Sequence, residues 1–128
     1  MKIPEHGELA SVVAALCAAS ATEDGRRTVA AHDEQYELGV GGDDGLLILE
    51  MRQGQMIVLP VSERAPEFCR YTRVDFLGTA ISDIASQSLT PTEAVEEGRI
   101  LLRSRLYGGG QFLRLLRLSQ RESTSLSR

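Results

Sequence analysis

The chain has 128 residues, of which 42% are hydrophobic and 25% charged, a composition that fits one globular domain and excludes global disorder. Its net charge of −4 is uneven, because residues 1–64 carry eleven acidic and five basic side chains, whereas residues 65–128 carry seven and nine. An acidic first half repels phosphate groups, so nucleic acid is not an expected partner.

The two cysteines, Cys17 and Cys69, lack the spacing of a metal site and lie in apolar or helical sequence surroundings. This pattern predicts free thiols in a reducing compartment and therefore a cytoplasmic protein. No apolar run reaches the roughly 18 residues that a transmembrane helix requires, so no membrane partner is expected.

The first predicted element is a helix over residues 5–21. Its apolar residues recur at helical spacing in one stripe: Leu9, Val12, Val13, Leu16 and Cys17. The alternative is a secretory signal, since residues 9–21 are short, apolar and end in Ala-Ser-Ala. A signal needs a basic segment before its apolar run, and here the acidic Glu5 and Glu8 stand there, which favours the helix.

The sheet is predicted within residues 28–61, as three or four short strands joined by tight turns. Strands are predicted over residues 28–32, 36–40 and 46–51, and a fourth follows the second turn. Asp43-Asp44-Gly45 and Gln53-Gly54 have the side chains that hairpin turns prefer. The continuous apolar run over residues 46–49 indicates a central strand covered on both faces.

The chain after Pro66 is predicted to be mainly helical. Apolar residues at helical spacing predict a helix over residues 72–88, although the alternation over residues 68–77 also fits an edge strand. Thr90-Pro91-Thr92-Glu93 is a capping box, which predicts the start of another helix. That helix would carry Val95, Leu102 and Leu106.

The last segments leave two interpretations open. Residues 99–119 fit either helices or a hairpin that turns at the glycines 108–110, and the capping chemistry favours helices. Residues 121–128 form a polar tail that is predicted to be disordered. The predicted fold is therefore a single α+β domain over residues 1–120, with an N-terminal helix, an antiparallel three- to four-stranded sheet and a mainly helical C-terminal half. The predicted core comprises Leu16, Leu38, Leu47, Leu49, Val58 and Ile81.

No motif indicates a catalytic, cofactor or metal site. The glycines within residues 39–45 miss the register of a phosphate-binding loop and fit a hairpin turn better. His32, Asp33 and Glu34 are neighbours in a predicted turn, and neither His6 nor His32 has a partner for a catalytic triad. The sequence therefore predicts a protein that is not an enzyme and needs no cofactor.

The order of a small-residue helix followed by strands at residues 28–32, 36–40 and 46–51 resembles the first half of type III secretion chaperones. The resemblance covers residues 9–52. It implies a small, acidic, cytoplasmic homodimer that holds an effector protein before export. In that family a dimer-forming helix, two strands and a last helix follow. The pattern fits this chain if residues 72–88 form the dimer helix and residues 99–119 a hairpin, and the last helix is then missing.

The predicted function is therefore a non-catalytic protein-binding module, a secretion chaperone or adaptor. Its acidic residues Asp33, Glu34, Glu37, Asp43 and Asp44 are predicted to contact the partner. The alternative is an immunity or antitoxin protein that covers a basic toxin site with this acidic patch. A small enzyme or ligand-binding protein with a pocket between sheet and helices is a third interpretation.

The apolar surface of the predicted helices predicts that the protein self-associates as a homodimer. The small residues of the helix over residues 72–88 allow two backbones to approach, so the predicted contact comprises Gly78, Ala80, Ile81, Ile84 and Ala85. Sedimentation equilibrium at micromolar concentration should give twice the chain mass. A monomer mass would contradict the dimer and weaken the chaperone resemblance.

Overall fold

The computed structural model describes residues 7–41, 45–65, 67, 70–104 and 110–126. The fold is α+β, as predicted. The helices are α1 (Gly7–Ser20), α2 (Glu23–Ala31), α3 (Ala80–Ala85), α4 (Pro91–Glu96) and α5 (Gly110–Leu126). The strands are β1 (Glu34–Val40), β2 (Leu47–Arg52), β3 (Gln55–Leu59), β4 (Tyr71–Phe76) and β5 (Ile100–Ser104).

The sheet has five strands in the order β3-β2-β1-β4-β5 and is mixed. β1 and β4 are parallel, with Glu37 opposite Arg73, and the other neighbouring pairs are antiparallel. The prediction of an antiparallel sheet of three or four strands is therefore correct only for β1–β2–β3. For β4 and β5 it preferred helices and kept strands only as alternatives, because their pairing depends on contacts distant in sequence, which local patterns do not encode.

Both predicted hairpins are present. β2 and β3 are joined by Gln53 and Gly54, whose φ angles of 52° and 78° are those of the tight turn that matches strand twist. β1 and β2 pair with Tyr36 opposite Leu49. Asp43 and Asp44, which are predicted to form that turn, lie outside the described residues. The run over residues 46–49 enters β2, an interior strand, as predicted.

The helices pack on one face of the sheet, which is its inner face. The side chains of Leu9, Leu16 and Leu115 are fully buried there against Leu38 and Leu49. Five of the six predicted core residues are buried: Leu16, Leu38, Leu47, Leu49 and Ile81. The sixth, Val58, is half-buried because β3 is an edge strand.

The first predicted strand, over residues 28–32, is wrong. Residues 28–31 belong to α2, which begins after Thr22, whose side-chain oxygen accepts a hydrogen bond from the Gly25 amide at 3.0 Å. Glu23 and Asp24 follow in the first turn, where the helix dipole favours acidic side chains. These capping signals were legible in the sequence, and they outweigh the weak strand propensity of so short a segment.

The predicted helix over residues 72–88 is also wrong over its first half. Residues 71–76 form β4, which lies inside the sheet and is therefore not the edge strand of the alternative interpretation. Thr72, Val74 and Phe76 are fully buried on the inner face, so the alternation and not the helical spacing describes this segment. The helical part is α3, of six residues.

The capping box is confirmed, with Thr90 and Glu93 bonded reciprocally at the start of α4. The helix ends at Glu96, however, and Leu102 lies in β5. Residues 99–119 are thus neither all helical nor a hairpin, since β5 is followed by α5. The backbone of residues 121–126 continues α5, where a disordered tail is expected from the composition. Within the described ranges, no helix is both long and apolar enough to span a bilayer.

Leu49→Ala should lower the free energy of unfolding by about 2–5 kcal/mol, because it leaves a cavity beneath the helices. Denaturant unfolding measures this loss. Val58→Ala at the directly opposing position of β3 is the matched control, and its half-buried side chain should give a smaller loss. Equal losses at the two positions would contradict the interior place of β2.

Candidate functional site

The outer face of the sheet, opposite the helices, carries a group of charged side chains. Strand alternation places Glu37 of β1 on this face, together with Tyr71, Arg73 and Asp75 of β4. Arg103 of β5 stands opposite Arg73 on the same face. Polar side chains thus occupy the centre of a sheet whose other face is apolar.

Glu37, Tyr71, Arg73 and Asp75 form a connected ion-pair network. Arg73 Nη1 donates to Glu37 Oε2 at 2.8 Å, and Arg73 Nε donates to Asp75 Oδ1 at 3.0 Å. The Tyr71 hydroxyl donates to Glu37 Oε1. The two carboxylates are nearly inaccessible, with side-chain exposures of 6% for Glu37 and 2% for Asp75. Each buried charge therefore has a cationic partner, as burial requires.

Two glycines make room for this network. A Cβ atom on Gly39 would lie 2.5 Å from Arg73 Nη2 and 3.0 Å from Asp75 Oδ1, and one on Gly45 would overlap the side chain of Glu37. The glycine-rich segment is thus a place where buried side chains approach the backbone closely, in addition to forming the hairpin. This agrees with the sequence-based interpretation of residues 39–45 as a structural segment and not a phosphate-binding loop.

The connection that leaves β3 covers part of the outer face, and we call residues 60–65 the strap. Gln35, in β1, fixes it with two hydrogen bonds: its Oε1 accepts from the Ala65 amide at 2.7 Å and its Nε2 donates to the Glu63 carbonyl at 3.3 Å. Arg64 Nη1 lies 3.8 Å from Glu37 Oε2. The strap therefore shields the β1–β2 half of the face.

Among the described residues beyond the strap, Arg73, Leu101 and Arg103 share the outer face, and we call them the β4–β5 surface. Leu101 is 37% exposed, and the side chains of Arg103 and Arg73 are 69% and 23% exposed. Arg103 Nη2 lies 3.4 Å from Asp75 Oδ2. The accessible charges of this surface are consequently those of arginines, while their carboxylate partners are buried.

The network holds arginine side chains in place through hydrogen bonds and ion pairs to buried carboxylates. Burial raises the pKa of Tyr71 well above its usual range, and its bond to Glu37 raises this pKa further. The phenol therefore stays protonated and donates to the carboxylate. Both carboxylates accept from arginine, so the arrangement fixes guanidinium groups at the surface and fits recognition of anionic groups.

The acidic residues predicted to contact a partner are not brought together at the surface. Glu37 is buried in the network, and Glu34 is 2% exposed on the inner face. Asp33 is exposed, and its Oδ1 accepts from the Gln53 amide at 3.0 Å, which supports the β2–β3 turn. Asp43 and Asp44 lie outside the described residues. Glu34 and Glu37 therefore cannot belong to an exposed acidic patch, because alternation in β1 places these two side chains on opposite, covered faces of the sheet.

Most of the residues predicted for the dimer contact are buried in the core of the chain itself. Ala80, Ile81 and Ile84 are buried in the core against α1, whereas Gly78 and Ala85 are exposed. The reason is that α3 has only six residues and turns its two large apolar side chains, Ile81 and Ile84, towards the core. A contact through this helix therefore has two exposed residues available instead of five.

The remaining surface features are small. A cleft of about 210 Å³ lies between α1, α3 and α5, and one of about 320 Å³ lies between α2 and α5. In the part of the chain that the structure describes, no three His, Cys, Asp or Glu side chains are placed to hold a metal ion. The thiol of Cys17 is free and half-buried, and burial raises its pKa.

Sequence reasoning did not identify Arg73, Asp75 and Arg103 as site residues. The signal available was the alternation of residues 71–76, in which Tyr71, Arg73 and Asp75 share one face. The partner Glu37 stands 36 residues before Arg73, and only the parallel pairing of β1 with β4 joins them. No protein family, curated protein or solved structure matches this chain.

Glu37→Gln should lower the free energy of unfolding by roughly 1–3 kcal/mol, because it removes the buried charge that pairs with the half-buried guanidinium of Arg73 while keeping the side-chain shape. Urea denaturation of the two variants measures the effect. Glu23→Gln is the matched control, since its pair with Arg27 is exposed on α2 and should contribute little. Equal effects at the two sites would show that the network adds no stability.

Proposed function

We propose that the protein is a non-catalytic protein-binding module that holds an acidic segment of a partner protein on the β4–β5 surface. The observation that carries the proposal is the arrangement of this surface. The exposed Arg103 and the half-buried Arg73 lie on the same face as the exposed Leu101, and the carboxylates that position the two arginines are buried. Such a surface has both the apolar and the charged contact that protein recognition uses.

Charge complementarity favours an acidic partner segment. Arg103 is the most exposed charged side chain of the β4–β5 surface, and its carboxylate partner Asp75 is inaccessible to a ligand. An incoming Asp or Glu side chain therefore meets guanidinium groups first. This differs from the predicted use of acidic residues to steer the partner, because two of those residues are buried.

The finer parts of the proposal come from the chaperone resemblance. They are a role as secretion chaperone or adaptor, a cytoplasmic location and a homodimeric state. The contact of such a dimer is a separate surface from the one proposed here, since the predicted contact residues lie on α3 or, for Gly78, just before it. The acidic immunity protein is not carried forward, because Glu34 and Glu37 are covered.

A photo-crosslinking amino acid placed singly at Leu101, Val95 or Ile57 tests the proposed surface in the native source. These are three similarly exposed apolar positions, with exposures of 37%, 36% and 38%. Val95 lies on α4 and Ile57 on the far edge strand β3. Position 101 should give one discrete protein adduct, and mass spectrometry should map the cross-link to a segment rich in Asp or Glu. The positions on α4 and β3 should not give this adduct.

Arg103→Glu should remove the adduct at position 101, because it reverses the charge that attracts the partner. Arg114→Glu makes the same change on an exposed position of α5 and should leave the adduct intact. Equal adducts at all three positions, or an adduct unaffected by Arg103→Glu, would overturn the proposal.

A further inference from the structure

Glu34 is a buried acid on the inner face of the sheet, away from the network on the outer face. It is the first residue of β1 and is 2% exposed. Its Oε1 atom lies 3.8 Å from Arg70 Nη1, beyond hydrogen-bond distance, and its Oε2 atom has no hydrogen-bond partner in the part of the chain that the structure describes. The charge of an ionised Glu34 would thus be poorly compensated.

Among the described residues, two further buried polar atoms have no hydrogen-bond partner. One is the hydroxyl of Tyr36, which lies two residues along the same face of β1, and the other is Oε1 of Gln111 in the first turn of α5. Gln111 Nε2 lies 3.6 Å from the sulfur of Met51, which is the cross-strand partner of Glu34. The ring of Tyr36 packs against that of Phe112, with centroids 5.4 Å apart.

Gln111 also joins α5 to the end of α2. Its Nε2 donates to the Thr28 carbonyl at 2.6 Å and lies 3.3 Å from the His32 carbonyl. The C-terminal end of a helix carries partial negative charge, so the end of α2 adds to the cost of a carboxylate at Glu34. The beginning of β1, the end of α2 and the start of α5 thus meet in a region rich in acceptors.

The Tyr36 hydroxyl brings one unpartnered donor to this region, and the unpartnered acceptors outnumber it when Glu34 is ionised. An ionised Glu34 and the Gln111 carbonyl are both acceptors, and buried acceptors without donors are costly. A protonated Glu34 supplies an O–H donor to the same region. Consistent with this, burial raises the pKa of Glu34 to about 7, while Arg70 acts to lower it.

We infer that Glu34 is a proton-operated latch, whose protonated form holds the first turn of α5 against β1 and α2 and whose ionisation loosens that turn. Among the described residues, Arg70, which immediately precedes β4, is the charged group at ion-pair distance. Asp33 is engaged with the Gln53 amide, and His32 is exposed at the end of α2. Tyr36 lies two residues along the same face of β1, Met51 of β2 is the cross-strand partner, and Gln111 of α5 contacts Met51.

The sign of the pH effect follows from the raised pKa. Both folded and unfolded chains bind the proton below about pH 4.5, and the folded chain alone retains it as the pH approaches 7. The stabilisation is therefore present at acidic pH and lost as the pH rises through 7. The contribution of Glu34 should raise the unfolding equilibrium constant roughly 100-fold between pH 5 and pH 8.

Glu34→Gln should remove this contribution, because the amide keeps a donor at the same place and does not titrate. Glu50→Gln is the control on the adjacent strand, where the side chain lies on the outer face next to Arg52. That variant should keep the decline of stability with pH. Urea unfolding of the three full chains from pH 5 to pH 8 gives the comparison, and identical pH profiles for the wild type and Glu34→Gln would overturn the latch.

Two measurements on the wild type keep the inference testable if Glu34→Gln does not fold. Carboxyl ¹³C NMR should give Glu34 a midpoint near 7, and a midpoint near 4.5 would overturn it. Hydrogen-exchange rates between pH 5.5 and pH 8, corrected for their intrinsic pH dependence, give the second measurement. Exchange should accelerate more at the amides of Leu115 and Leu116 in α5 than at the amide of Val13 in α1. Equal acceleration in both helices would show general destabilisation instead of a latch.

Discussion

The parallel pairing of β1 with β4 is the constraint on which the rest of this structure depends. It makes β1 the central strand and places β4 beyond it, so the chain must cross from β3 at the edge of the sheet. The strap is part of that crossing and runs over the outer face, where Gln35 fixes it. Because the helices cover the inner face, the central strand is buried on both sides.

A central strand buried on both sides leaves its acidic side chains without water, and β1 contains two of them. Glu37 on the outer face is compensated by Arg73 and Tyr71, which the parallel register brings opposite or beside it. Among the described residues, the cation nearest to Glu34 on the inner face is Arg70 at 3.8 Å, and binding a proton is another way to remove its charge. The two acids of one strand thus illustrate both means by which a protein tolerates a buried carboxyl group.

The elements that sequence reasoning identified are those defined by adjacent residues. The Gln53-Gly54 turn, the capping box at Thr90 and the apolar run of β2 each specify their structure locally. Residues 71–76 satisfied two periodicities at once, and only pairing with β1 and β5 decides between them. Two of the five predicted contact residues, Glu34 and Glu37, are buried for a related reason, since the burial of a charge such as that of Glu37 depends on partners like Arg73 that are remote in sequence. Whether a charged side chain is exposed is a property of the tertiary structure.

The buried carboxylates also bear on how the β4–β5 surface would bind. A free arginine loses rotamer freedom when it contacts a partner, and this loss opposes association. Arg73 has already lost that freedom, because Glu37 and Asp75 hold its guanidinium from two sides. Arg103 is held more loosely, through one contact to Asp75, and retains the reach to follow an acidic side chain. The network therefore combines a fixed cation with an adjustable one beside Leu101, and this combination gives the surface a defined geometry before any partner arrives.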